Sequence, residues 1–146
     1  DDFKNKVSND FFLEHALVHG NFYGTSKDFV ETKIAEGINI ILEIDVQGVQ
    51  QIKSTNFPHE SIFLLPPSIE SLTERLNERG TNSKESIELR LSNAMKEIPS
   101  CKDYDHILVN DVFEDCCNDL ARIITGEDSF PMNSKKELFL TKLLNS

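Results

Sequence analysis

Gly20-Asn21-Phe22-Tyr23-Gly24-Thr25 leads, after a short helix-like stretch, into Ile38-Asn39-Ile40-Ile41-Leu42-Glu43-Ile44-Asp45. The first segment reads as a flexible, hydroxyl-rich turn. Its glycines allow close backbone approach to a phosphate, and Tyr23 and Thr25 offer hydroxyl donors. The second reads as a buried strand that delivers two carboxylates to the carboxyl edge of a sheet, where open α/β folds bind ligands. A turn of this kind before a strand that ends in carboxylates is what a nucleoside monophosphate pocket needs.

Outward from these segments, Ser61 to Leu65 and Asp105 to Val109 are two more strand candidates, short, aliphatic and largely without alternation, as strands covered on both faces are. Helical patterns separate the three, so the order is α/β with a parallel sheet. Ser26 is placed to cap a helix bearing Phe29, Val30 and Ile34, which Gly37 closes. Pro66-Pro67-Ser68 ends a strand and opens a helix with Ile69, Leu72 and Leu76 on one stripe, stopped by Gly80. A helix from about Ser83 carries Ile87, Leu91, Ala94, Met95 and Ile98 on one face. Phe113 to Thr125 and Ser134 to Leu144 are further helices, with Asp128 to Asn133 as a loose connector.

At 146 residues, 38% hydrophobic and 27% charged, the chain has the length and composition of one globular domain. A net charge of -10 argues against a nucleic-acid binder held by phosphate neutralisation, though not against a nucleotide enzyme, which needs only a local arginine cluster. The cysteines, Cys101, Cys116 and Cys117, have no disulfide or zinc spacing, so a reducing, cytoplasmic setting is expected. No apolar run approaches membrane-spanning length. His15, His19, His59 and His106 show no ligand spacing.

From Asp2-Phe3-Lys4 to about Gly126 the chain resembles guanylate kinase. The resemblance implies a P-loop nucleoside monophosphate kinase-like fold: a parallel sheet with flanking helices, a GMP-binding region and a lid. On that pattern residues 1–30 are the remainder of the GMP-binding region, 31–69 and 98–146 the core, and 70–97 the lid. It also implies that Phe11 to Ala16 is a strand. None of the six glycines is followed by lysine, so no Walker A loop is present, and the chain is expected to lack an N-terminal part that carries the P-loop strand.

The resemblance assigns roles residue by residue. Glu14, the acid of Phe12-Leu13-Glu14, would accept hydrogen bonds from guanine N1–H and the exocyclic amine, two adjacent donors that a carboxylate matches. Tyr23 would bond the GMP phosphate, with Gly24 beside it and Thr25 near the base, while Phe22 replaces a common tyrosine. Glu43 and Asp45 would contribute to the GMP and metal environment, Asp45 reaching magnesium through water. Their residue-level alternative is capping of the helix that follows. Arg79 and Arg90 match the lid arginines that stabilise the transferring phosphoryl group, with Arg75 a third candidate. Asn110 and Asp111 match a pair that contacts the adenine of ATP, or else Asp111 caps a helix. The implied activity is ATP:GMP phosphotransfer with Mg2+, the partners being GMP and ATP. The chain as it stands is expected to be inactive alone. The rival readings are a non-catalytic guanylate-kinase-like module that binds phosphopeptides, and a related small-molecule kinase.

Overall fold

A computed structural model describes residues 2–18, 20–78 and 83–145. The chain divides into two compact units, Asp1–His59 and Glu60–Ser146.

The first unit is built on an antiparallel hairpin. Strand β1 (Phe12–Val18) pairs with β2 (Asn21–Ser26), Glu14 lying opposite Thr25 and Ala16 opposite Tyr23, with a register shift between Phe12 and Glu14. The strand expected around Phe12-Leu13-Glu14 is therefore present. The expected turn is not: Asn21 to Thr25 is extended and paired. Helix α1 (Asp2–Ser8) precedes the hairpin and α2 (Lys27–Ala35) follows it. Ser26 caps α2 as its composition foretells, accepting from the Phe29 amide. Gly37, at φ +77°, closes it as a Schellman turn, with Gly37 N–H donating to the Ile34 carbonyl and Ile38 N–H to the Lys33 carbonyl. Helix α3 (Val46–Ser54) completes the unit. Its Ile52 joins Leu13 and Val30 in a small core, against which Leu42, Ile44 and Phe57 pack.

The strand expected at Ile38 to Ile44 is a correction. The segment forms no ladder with any described residue. A strand is a paired state, and an apolar run does not become one without a neighbour to take its N–H and C=O groups. Ile40, Leu42 and Ile44 are half-buried while Ile41 and Glu43 are exposed, so only one side is covered, against the expectation of two.

The second unit holds the parallel pair. β3 (Ile62–Leu65) and β4 (His106–Val109) run in register, Ile62 opposite His106 and Leu65 opposite Val109. Their entry is fixed by Asp105, whose Oδ2 accepts from both the Ser61 amide (2.8 Å) and the Ser61 hydroxyl (2.6 Å). β4 is covered on both faces. Ile107 belongs to a cluster with Leu65, Ile98, Cys101, Leu140 and Leu143, and Leu108 to another with Cys116 and Ile123. Between and after the strands lie α4 (Ile69–Glu78), α5 (Lys84–Glu97), a 3-10 turn over Ile98–Asp103, α6 (Phe113–Ile124) and α7 (Ser134–Leu144). Ser68 and Ser83 cap α4 and α5 through the Ser71 and Ser86 amides. The fold class is α/β, with helices around a parallel pair as the sequence order required.

Candidate functional site

Glu14 is the most informative side chain of the hairpin. It is 4% exposed under the cover of α3, although a carboxylate is rarely buried without compensation. The Thr25 hydroxyl, directly across the ladder, donates to its Oε1 at 2.5 Å. Among the described residues no lysine, arginine or histidine forms an ion pair with it. The two residues that the resemblance places at the base are thus brought together by cross-strand pairing.

Gly24 and Tyr23 lie one and two residues before Thr25 on β2. Tyr23 is 57% exposed, its ring in solvent and not packed on the core. At Gly24 a Cβ would sit 2.8 Å from the Phe12 ring, so the missing side chain makes room for an aromatic neighbour. Phe12 in turn stacks on Phe3, as does Phe22, which packs in place of the hydroxyl that tyrosine would bring.

Asp45 is the N-cap of α3. Its Oδ1 accepts from the Gly48 amide at 2.9 Å, and its Oδ2 accepts from the Gln47 amide group at 3.1 Å. The capping alternative raised for this acid is realised in the geometry. Glu43 is exposed. Among the described residues no group of three or more His, Cys, Asp and Glu side chains is arranged to hold a metal ion. The Glu43 and Asp45 carboxylates are hard oxygen donors of the kind that magnesium takes, usually with several waters retained.

Sequence reasoning passed over two residues of α3. Gln51 turns its carboxamide onto the backbone of His15, the residue after Glu14. Its Oε1 accepts from the His15 N–H at 3.0 Å and its Nε2 donates to the His15 carbonyl at 2.7 Å. Gly48 lies one helical turn earlier, and a Cβ there would fall 2.9 Å from Glu14 Oε2. The i, i+3 spacing of Gly48 and Gln51 put them on one helix face, but only the fold shows which strand that face meets.

In the second unit, Arg79 lies outside the described residues, as do Gly80, Thr81 and Asn82. Arg90 stands on α5, half-buried, and its Nε is buried with no hydrogen-bond partner among the described residues. Arg75, on α4, donates from Nη2 to the Asn110 carbonyl at 2.9 Å, and the Asn110 amide donates to the Leu65 carbonyl at 2.8 Å. The carboxyl end of β4 is therefore tied on both sides. Asp111 does not cap α6: the N-cap is Val112, with no side-chain hydrogen bond, and Asp111 is exposed. The thiols of Cys101 and Cys116 are pushed above their ordinary range by burial, which leaves them unsuited to nucleophilic work. Among the described residues no helix is long and apolar enough to cross a membrane.

The family model for guanylate kinase matches residues 1–127. The guanylate kinase of Escherichia coli K12 is 46% identical over 128 residues, covering 87% of this chain and 61% of the relative. That of Buchnera aphidicola from Acyrthosiphon pisum is 40% identical over 145 residues, covering 98% of this chain and 70% of the relative. The crystal structure of guanylate kinase from Anaplasma phagocytophilum superposes with a TM-score of 0.70 at 32% identity, covering 91% of this chain and 63% of that one. The chain thus spans roughly three fifths of the length of most of these proteins, 61% in the Escherichia coli case.

Proposed function

The chain belongs to the guanylate kinase family, and from that premise we propose that the protein takes part in ATP:GMP phosphotransfer, with Glu14 as the reader of guanine. The observation that carries this is the carboxylate itself: 4% exposed, bonded by Thr25, and without an ion-pair partner among the described residues. An anion kept from water with no cation beside it costs stability. A ligand that presents two N–H groups offsets that cost, because each carboxylate oxygen retains accepting capacity beside the Thr25 bond. Guanine has both donors, at N1 and at the 2-amino group. Adenine has an acceptor at N1 and nothing to donate at C2, so it leaves the charge unpaired.

The remaining assignments follow the same reading. The exposed Tyr23 hydroxyl is free to reach a phosphate oxygen of GMP. Arg90, with a buried guanidinium nitrogen unpartnered among the described residues, and Arg79 supply positive charge to the transferring phosphoryl group. Asn110 and Asp111 receive the adenine of ATP at the end of β4, the Asn110 backbone being held by Arg75 and Leu65. Glu43 and Asp45 face the GMP and metal environment, Asp45 combining its cap with a water-mediated contact. A magnesium ion bound with ATP would supply positive charge to its phosphates. The chemistry is then an in-line transfer governed by positioning and electrostatics, with no covalent intermediate on the protein. Residues 1–30 act as part of the GMP-binding region and 70–97 as the lid, in a cytoplasmic protein.

The test is ADP release from MgATP on addition of GMP, followed by a coupled assay on the protein at its natural length. GMP-dependent ADP formation is the expected result. Its absence, with tight capture of a phosphopeptide instead, would favour the non-catalytic module.

A further inference from the structure

Gln51 does for β1 what an adjoining strand would do. Its carboxamide offers one acceptor and one donor to the two backbone groups of a single residue, His15, at 3.0 and 2.7 Å. This pair of hydrogen bonds to the backbone fixes the strand against α3 at the position next to Glu14. Side chains alternate along a strand, so fixing residue 15 also fixes the direction in which Glu14 leaves the backbone on the other face. One turn earlier on the same helix, Gly48 bounds the far end of that side chain. The 2.9 Å separation between Glu14 Oε2 and a Cβ built there is closer than real Cβ contacts come. The Thr25 hydroxyl holds the other oxygen at 2.5 Å. The carboxylate is thereby confined at its root by Gln51, at Oε1 by Thr25 and at Oε2 by the bare backbone of Gly48.

We propose that Gln51 and Gly48 are positioning residues that orient the Glu14 carboxylate so that it meets both donors of guanine at once, and that they set the preference for guanine over hypoxanthine. The proposal rests on the assignment of Glu14 as the guanine reader. Hypoxanthine keeps N1–H and lacks the 2-amino group, so the ratio between GMP and IMP isolates the second hydrogen bond. A carboxylate free to swing keeps one bond and loses the two-point match. Loosening α3 against β1 therefore lowers that ratio before it affects the use of ATP. A residue that merely stabilised the fold would change yield and melting temperature and leave the ratio alone.

The experiment compares kcat/KM for GMP and for IMP, at saturating MgATP, in the parent protein at its natural length and in Gln51→Leu, Gln51→Glu and Glu14→Gln. Gln51→Leu removes both bonds to His15, and the GMP:IMP ratio is expected to fall about tenfold, the effect of one well-placed hydrogen bond, with the KM for ATP unchanged. Gln51→Glu keeps the acceptor but sets an oxygen against the His15 carbonyl, so the ratio falls at least as far. A parent-like ratio in both Gln51 variants, with loss in Glu14→Gln, overturns the proposal and leaves the guanine assignment standing. A parent-like ratio in Glu14→Gln refutes the guanine assignment, and the proposal with it. A second measurement needs no turnover. The fall in melting temperature caused by Gly48→Ala should be smaller in a Glu14→Asp background, where the carboxylate is one methylene shorter and withdraws from the new Cβ. An equal fall in both backgrounds shows that Gly48 does not accommodate Glu14, and overturns its part.

Discussion

Replacement of Arg75 by Met tests whether the end of β4 is held from α4. Methionine keeps an unbranched apolar stem of similar reach and removes the guanidinium that donates to the Asn110 carbonyl at 2.9 Å. Hydrogen bonds from charged donors contribute about 1.5–3 kcal/mol, and because Arg75 is half-buried and water can reach part of the site, the lower end, about 1.5 kcal/mol, applies here. With a urea slope of about 1–3 kcal/mol per molar, the unfolding midpoint should drop by about 0.5–1.5 M. The second unit carries its own probe. The protein has no tryptophan and two tyrosines. Tyr104 is 8% exposed and meets Phe63 edge-on at 4.9 Å, whereas Tyr23 is 57% exposed. The near-ultraviolet circular dichroism of a packed tyrosine therefore follows the β3–β4 core in urea. The same variant should weaken ATP use more than GMP use, because the displaced residue is Asn110. An unchanged midpoint and slope, together with a parent-like KM for ATP, would refute the reasoning.

Further expectations concern the two substrates' sites and the thiols. Glu14→Gln keeps one acceptor and sets an amine against a guanine donor, so kcat/KM for GMP should fall by about 10²-fold or more while the KM for ATP holds, as steady-state kinetics with each substrate varied will show. Arg90→Met should lower turnover by about 10³-fold, in the range of other phosphate-stabilising arginines. Its melting temperature should stay level or rise, since the substitution removes a buried Nε that has no partner among the described residues. Normal specific activity with reduced stability would make Arg90 a structural charge. Of the three cysteines, Cys117 is exposed while burial raises the pKa of Cys101 and Cys116. A thiol reagent at mildly alkaline pH should modify one thiol quickly and two only on unfolding, and fast reaction of all three would show that the second unit opens.

Local signals in the sequence carried most of the helices. Ser26, Ser68 and Ser83 cap where their position before an apolar stripe says they should, because an N-cap is a contact between residues three apart. The strands of the second unit were legible for a similar reason: Ile107 and Leu108 each bury on a different face, which leaves no alternation in the sequence to confuse them with an amphipathic helix. Helix α1 gave no such signal. None of its seven residues, Asp-Phe-Lys-Asn-Lys-Val-Ser, is fully buried, and only Phe3 and Val7 are apolar, too few to mark a stripe. Ile38 to Ile44 misled in the opposite sense, since its composition suits a strand and pairing is a property of the neighbour. Asn21 to Thr25 misled because glycine and asparagine signal a turn, whereas Gly24 is there to accommodate the Phe12 ring. At the site, the residue types of Glu14 and Thr25 were readable through the family pattern, but their mutual bond depends on hairpin register. Gln51 was invisible, since its partners lie 36 residues away in the backbone of His15.

Guanine selection tests the central claim most directly. Initial rates of ADP formation from MgATP, with GMP and with AMP as acceptors for the protein at its natural length, give the two values of kcat/KM. A buried carboxylate that needs two donors should favour GMP by about 10⁴-fold or more, because adenine leaves it unpaired. Comparable use of AMP, or transfer to neither nucleotide, would contradict the account of Glu14 as the residue that reads the base.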